Sequence, residues 1–217
     1  MQVHIQWMKK TGRQIYWQFK EWWSGSARTS AKARGLHIGF PVDCRYGWDL
    51  SCPAHWTMLE QAATLFGTDV ELYAPECTLW SQSCTTLPVQ EKADGRAKQL
   101  PMLTKLKNRF IARHAAGKHC MLEQPYGSAM LHESPIASLL EQFSRLKTSQ
   151  CAYGCKNEEG QPVRKDTDFI ATFSLKNAVR PCRWTGKHAQ LQGQVPGTSV
   201  SRTSVAMVCS HVCNCYH

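Results

Sequence analysis

Several features that would settle this chain's class are missing from it. No apolar run reaches the roughly 18 residues that a membrane-spanning helix needs, so no membrane partner is expected. Residues 1–13 carry charge but no apolar core segment, so they do not read as a secretory leader. There is no internal repeat and no long low-complexity linker. None of the eleven cysteines forms a C-x2-C pair, which removes the strongest zinc-finger signature. Between Arg96 and Lys118 there is not one acidic residue. A soluble protein of the nucleus or cytoplasm is expected, with its thiols mostly reduced. Its cysteines are then open to metal binding, catalysis or plain packing.

What is present points to a folded globule. Hydrophobic residues make up 42% of the 217 and charged residues 19%. That leaves room for one domain with a proper core, or a domain and a tail. The expected organisation is an extension over 1–14, a domain over 15–193 and a Cys-rich tail without fold signals over 194–217. The net charge of +10 is concentrated. Lys9, Lys10, Arg13, Lys20, Arg28, Lys32 and Arg34 form one group; Arg96, Lys98, Lys105, Lys107, Arg109, Arg113 and Lys118 form another. Such runs attract phosphate backbones, and they also occur as solvated helix faces.

Ile15, Trp17 and Phe19 alternate, which predicts a strand ending near Glu21. A turn follows over 22–26, then a short helix over 27–34 stopped by Gly35. A second strand is expected over 38–42, and a helix over 53–66 capped by Ser51 and stopped by Gly67. Val70, Leu72 and Ala74 mark a third strand. Leu100, Leu103, Leu106, Phe110 and Ile111 recur at helical spacing, so 96–116 reads as an amphipathic helix that buries Leu103, Leu106 and Phe110 and exposes its lysines and arginines. A short strand over 119–122, broken by Gln124-Pro125, precedes a helix over 134–143 with Pro135 in its first turn. Weaker strands are expected at 151–153 and 169–173. This alternation predicts an α/β fold with a mostly parallel sheet flanked by helices. In such folds ligands bind beyond the carboxyl ends of the strands.

Four segments lie at such ends. Trp23-Ser24-Gly25-Ser26 is a strand-to-helix turn whose small residues let backbone N–H groups approach a ligand. Asp43 follows Gly25 by 18 positions, where an acid can take a ribose hydroxyl pair; an ordinary βα turn is the alternative. Cys77, just past a strand end, is placed as a nucleophile if a neighbouring group lowers its pKa, or as a buried structural cysteine. Glu123 ends an apolar strand, where a carboxylate is costly unless it binds something; a salt bridge to a neighbouring helix would also satisfy it.

In their order these elements resemble the cytosine-5 DNA methyltransferase type of S-adenosyl-L-methionine-dependent, Rossmann-like domain, of the kind found in mobile-element reading frames. The likeness runs from about Tyr16 to Gly193. Trp22-Trp23-Ser24-Gly25-Ser26-Ala27 is similar to the first cofactor motif. Asp43 and Asp49 resemble the acids that hold ribose and adenine. Pro75-Glu76-Cys77-Thr78-Leu79-Trp80-Ser81 resembles the nucleophile loop, and Glu123-Gln124-Pro125 the motif that grips the base. Gln161-Pro162-Val163-Arg164-Lys165-x-Thr167 stands where the family has a basic substrate-contacting strand. The resemblance implies catalytic Cys77 and Glu123; cofactor contacts from Trp23, Ser24, Gly25, Ser26, Asp43 and Asp49; and substrate contacts from Ser81, Gln124, Arg164, Lys165 and Thr167. It implies DNA as the partner and a flipped or single-stranded cytosine as the target. The chain departs from the pattern where Ala27 replaces a glycine, Glu76 replaces a proline and Asp168 follows Thr167.

Two other functions fit the same residues. One is a non-catalytic nucleic-acid-binding remnant of a mobile element. The other is a zinc-stabilised interaction module, with ligands from Cys151-x3-Cys155 and Cys182-x5-His188 or from Cys209, Cys213, Cys215 and His217.

Overall fold

The computed structural model describes residues 10, 16–33, 35–82, 84, 87–157 and 159–189. The expected extension (but for Lys10) and the Cys-rich tail lie outside the described residues. Five strands form one mixed sheet in the order β1-β2-β3-β5-β4: β1 Trp17–Trp22, β2 Thr68–Tyr73, β3 His119–Pro125, β4 Ser144–Ser149 and β5 Asp166–Ala171. β1, β2 and β3 are parallel; β5 runs against both β3 and β4.

The segment at 38–42 lies beside β1 on its free side but pairs only at Phe19–Ile38 and Trp22–Val42. It is not the continuous strand that its composition predicts. Pro41 has no N–H to give to a ladder. Even so, it places the chain on one side of β1 before β2 returns on the other, so the winding reverses between β1 and β2. A reversal of this kind opens a crevice at the carboxyl ends of the two strands.

Among the described residues, four helices cover the sheet: α1 Arg28–Lys32, α2 Pro53–Phe66, α3 Val89–Ala115 and α4 Ser134–Leu140. On one face, residues of α2, α3 and α4 pack with Trp22, Tyr73, Leu122 and Ile170. On the other, Phe19, Val70, Leu72, Met121 and Phe169 meet Ala33 just after α1 and the 175–179 segment.

Several expectations need correction. Ser51 does not cap α2; the N-cap is Cys52, without a side-chain bond, and Ser51 instead gives both its N–H and its hydroxyl to Asp49 Oδ1. α3 starts seven residues before Arg96, at Val89 behind Pro88, and continues through Pro101; its first two turns have no apolar period to reveal them. β3 runs on through Gln124 to Pro125, because Pro125 closes the ladder at a strand end, where its missing N–H costs little. The strand expected at 151–153 is a short 3-10 turn, and the true strand is Ser144–Ser149 just before it. That strand pairs along one side only, with β5, so it carries polar residues that hide its period.

The largest correction concerns the basic helix. Leu103, Leu106 and Phe110 are buried as predicted, but its arginines do not form a solvated face. Arg109 points inward and donates from Nε (2.8 Å) and Nη2 (2.6 Å) to the fully buried carboxylate of Glu71 on β2. Arg113 adds a contact at 3.4 Å, and the Tyr73 hydroxyl donates to the same carboxylate. Lys20, the register partner of Glu71 on β1, is buried among the rings of Trp17, Trp22 and Phe40 at 4.6–4.9 Å. Its Nζ has no hydrogen-bond partner.

Two stability effects follow. The Glu71 carboxyl is desolvated, yet the two arginines outweigh this and hold it down at about 2. A depressed carboxyl stabilises the fold above its unfolded pKa, and that contribution disappears as pH falls from about 4.5 towards 2. Glu71→Gln should remove about 3–5 kcal/mol at neutral pH, because it leaves buried cations without their partner, and should flatten the acid limb of a urea-unfolding series. Burial lowers Lys20 to about 7. Between pH 7 and 10.5 the unfolded chain then binds the extra proton, so stability rises with pH across that window. Lys20→Met should raise the unfolding free energy by on the order of 1–4 kcal/mol at pH 6, with a smaller gain at pH 9.

Candidate functional site

The candidate site begins at the end of β1. Trp23, Gly25 and Ala27 all have positive φ, at 55°, 53° and 51°. The turn closes through Ala27 N–H to the Ser24 carbonyl (2.7 Å), and Ser24 N–H donates to the Val42 carbonyl (3.0 Å). Asp43, at the end of the 38–42 segment, accepts from Gly25 N–H at 2.9 Å and from Arg45 N–H at 3.0 Å. Its first task is thus to shape the turn. A carboxylate has about four acceptor positions, so Oδ2 keeps capacity for a further donor.

Ser24 is buried, and its hydroxyl has no hydrogen-bond partner. Ser26 is exposed, while Trp23 is half-buried against Trp56 with ring centroids 6.2 Å apart. Asp49 is exposed and committed through Oδ1 to Ser51. Since α1 has only five residues, the turn's backbone matters here more than any helix dipole.

At the end of β2, the Cys77 loop is held from two sides. Arg96 donates from Nε to the Leu79 carbonyl at 2.9 Å and lies over the Trp80 ring at 5.1 Å. The Trp80 indole N–H donates to Gln99. Gly95 makes this docking possible, since a Cβ there would sit 2.7 Å from a Leu79 methyl. From β3, Gln124 donates to the Pro75 carbonyl at 2.8 Å and accepts from Ser128 at 3.0 Å. Ser81 N–H bonds the Cys77 carbonyl at 2.8 Å. Gln124 and Ser81 are thus in the site, but Gln124 is buried and braces the loop. Sequence reasoning missed Arg96 and Gln99 as loop anchors; a lone glycine next to an arginine in a helix was the available signal.

Cys77 and Glu123 lie at the ends of adjacent parallel strands, and the Glu123 carboxylate acts on the Cys77 thiol. Burial pushes the Cys77 thiol up, Glu123 pushes it further, Lys165 opposes this, and Glu76 adds a smaller rise. Burial likewise pushes Glu123 up, against Lys165. Among the described residues, no donor bonds the Glu123 carboxylate and no cation lies within salt-bridge distance. The antiparallel β5 brings the basic segment to the same edge, pairing Thr167 with Pro125 and Asp168 with Gln124. Of that segment, Lys165 acts on the site. Arg164 points out and pairs with Asp166 at 3.1 Å. Thr167 is fully buried, facing Gln150 at 3.4 Å. Asp168 pairs with Arg145 at 2.7 Å, so its charge is neutralised within the sheet.

The arrangement offers a partly buried thiol, an unbonded carboxyl and a half-buried lysine at one mouth, beside a turn rich in positive φ. No protein-family model matches this chain, and no curated protein matches it.

Ala27 holds the left-handed conformation that costs a residue with a Cβ roughly 1–2 kcal/mol, partly offset by the entropy that glycine loses on folding. Ala27→Gly should therefore raise the melting temperature by roughly 1–4 °C, read by calorimetry. An unchanged or lower value would mean that the turn is not held as described.

Proposed function

We propose that the chain is an S-adenosyl-L-methionine-dependent, Rossmann-like methyltransferase domain acting on cytosine in DNA, with slow transfer in its natural form. The observation that carries this reading is the placement of Cys77 and of the Glu123 carboxyl, unbonded among the described residues, at the ends of adjacent parallel strands, next to the reversal between β1 and β2. The orphaned Ser24 hydroxyl, the open space beside Gly25 and the spare capacity of Asp43 fit a ligand that brings a carboxylate or amine and ribose hydroxyls. Trp23, Ser24, Gly25, Ser26, Asp43 and Asp49 would hold the cofactor, which supplies an electrophilic methyl group when bound.

The chain's own residues divide the remaining work. Cys77 Sγ adds as thiolate to C6 of a flipped cytosine. Glu123 holds ring N3 and the amino group, so that electron density reaches C5, which takes the methyl; a base then removes the C5 proton, the 5,6 double bond re-forms and the Cys77–C6 bond breaks to return the thiolate. Lys165 supplies positive charge beside both groups. Gln124 and Arg96 position the loop rather than the base, and Arg164 remains as an outward contact for the phosphate backbone. The inward arginines of α3 shift DNA contact away from that helix and towards the carboxyl edge of the sheet.

Burial and the Glu123 and Glu76 carboxylates raise the Cys77 pKa and so disfavour the thiolate that attack requires, which is the reason slow transfer is expected. Replacing Glu76→Pro removes one carboxylate that raises the thiol and should increase methyl transfer; adding Ala27→Gly should increase it further. The test is transfer of labelled methyl to cytosine-containing DNA, with calorimetric titration of the cofactor alongside and Cys77→Ser as control. Robust transfer surviving Cys77→Ser defeats the covalent mechanism. Heat of cofactor binding without transfer in either the natural or the repaired chain defeats the cytosine assignment. Neither binding nor transfer defeats the methyltransferase reading altogether and favours the mobile-element remnant.

A further inference from the structure

A second cluster of reactive side chains lies further along the same edge of the sheet, outside the methyl-transfer site. Cys151, in the turn Gln150–Tyr153 after β4, meets Cys182 and His188 from the last described segment. Their three ligand atoms all lie within 4.8 Å of one another, with Cys182 Sγ 3.2 Å from His188 Nε2. The two cysteines are free thiols, and all three residues are half-buried. Cys155, four positions on and equally available by spacing, is buried and outside the cluster.

The backbone brings these groups together. Ser149 N–H donates to the Arg180 carbonyl at 3.0 Å. Arg180 N–H donates to Thr148 Oγ1 at 3.1 Å, and the Tyr153 hydroxyl bonds the Ala178 carbonyl. At the other end, Ala189 N–H donates to the Pro162 carbonyl at 2.9 Å. The loop between Cys182 and His188 is thus pinned at both ends, with its ligand atoms turned towards Cys151. A cavity of about 560 Å³ opens beside them, lined by Cys151, Val179, Arg180 and Trp184 among others.

We propose that Cys151, Cys182 and His188 bind one zinc ion. Two thiolates and an imidazole form a borderline-soft set that suits zinc and disfavours calcium or magnesium. As the two Sγ–Zn bonds form, two thiol protons leave to solvent. A tetrahedral ion takes its fourth ligand from water on the cavity side. The nearby carboxylate of Asp166 is already committed to Ser149 (2.7 Å), Lys147 (3.0 Å) and Arg164 (3.1 Å). The ion ties the 178–189 segment to the edge of the sheet. It also steadies Gln150, whose N–H holds the Lys165 carbonyl at 3.0 Å, and so the strand start that presents Lys165.

The test is metal analysis of the full chain purified without added chelator, followed by cobalt substitution. About one zinc per chain is expected. The substituted protein should show thiolate-to-cobalt charge transfer with tetrahedral d–d bands. Cys151→Ser with Cys182→Ser should reduce bound metal at least about tenfold and abolish the charge-transfer band, whereas Cys155→Ser should keep both. His188→Ala alone should keep the charge transfer while changing the d–d bands, a readout independent of whether the double variant folds. A metal-free natural chain after zinc is supplied, unchanged zinc in the double variant, or a Cys151–Cys182 disulfide in zinc-loaded protein would each overturn the proposal.

Discussion

The buried carboxylate of Glu71 is the constraint around which the remaining structure is arranged. It sits in the middle of β2 and has no access to solvent, so it must be paired or be strongly destabilising. Arg109 answers with both arms of its guanidinium and Arg113 with one. These residues are four apart on α3, on one helical stripe, so the contact fixes how the helix is rotated against the sheet. The same helix, nearer its start, carries Gly95, Arg96 and Gln99, the three residues that receive the Cys77 loop. That loop leaves β2 only a few residues after Glu71. One ion-paired group thereby fixes both the origin of the loop and the surface on which it rests. A buried pair of this type contributes less to net stability than to the choice of a single arrangement, and here the arrangement is that of the candidate site.

Lys20 shows what the arrangement costs. It pairs in register with Glu71 across two parallel strands, but the arginines already occupy the carboxylate. Its ammonium is left with the faces of three aromatic rings, whose attraction is about 0.5–2 kcal/mol each. Burial, joined by the like charges of Arg109 and Arg113, lowers the ammonium's pKa to about 7 against the pull of Glu71.

The sequence disclosed those parts of the fold in which burial follows a single period. Leu103, Leu106 and Phe110 on α3, the apolar run of β3 and the stop at Gly67 were readable because one face or one φ decides them. β4 was not readable, because Ser144-Arg145-Leu146-Lys147 belongs to an edge strand whose polar residues keep no apolar period. The basic stretch misled for a physical reason: composition records charge but not direction, and Arg109 and Arg113 look like surface residues until their partner 38 and 42 positions earlier is known. In the candidate site, the strand-end placement of Cys77 and Glu123 was legible from local pattern alone. The bracing of Gln124 to Pro75 and the burial of Thr167 were not, since both depend on contacts between distant segments.

The electrostatics of Cys77 and Glu123 bear directly on the proposed chemistry. Burial opposes charge on both, and the Glu123 carboxylate also opposes charge on the sulfur. A free carboxyl is a stronger acid than a free thiol by about four pKa units. Attack on cytosine requires a thiolate on Cys77 and a proton available near ring N3 from Glu123, a distribution reached when the thiol proton moves to the carboxylate. Moving that proton leaves the total charge of the mouth unchanged, so the low dielectric adds little to its cost. The cost is instead the intrinsic acidity difference, reduced by whatever stabilises charge on sulfur more than on the carboxyl. Lys165 opposes the rise in both and cannot discriminate strongly between them. Glu76 acts on the sulfur alone among the two, and in the wrong direction. Discrimination must therefore come from the base itself, whose ring nitrogen stabilises the protonated carboxyl when it accepts a hydrogen bond from it. On this account the thiolate forms with substrate in place rather than before it arrives.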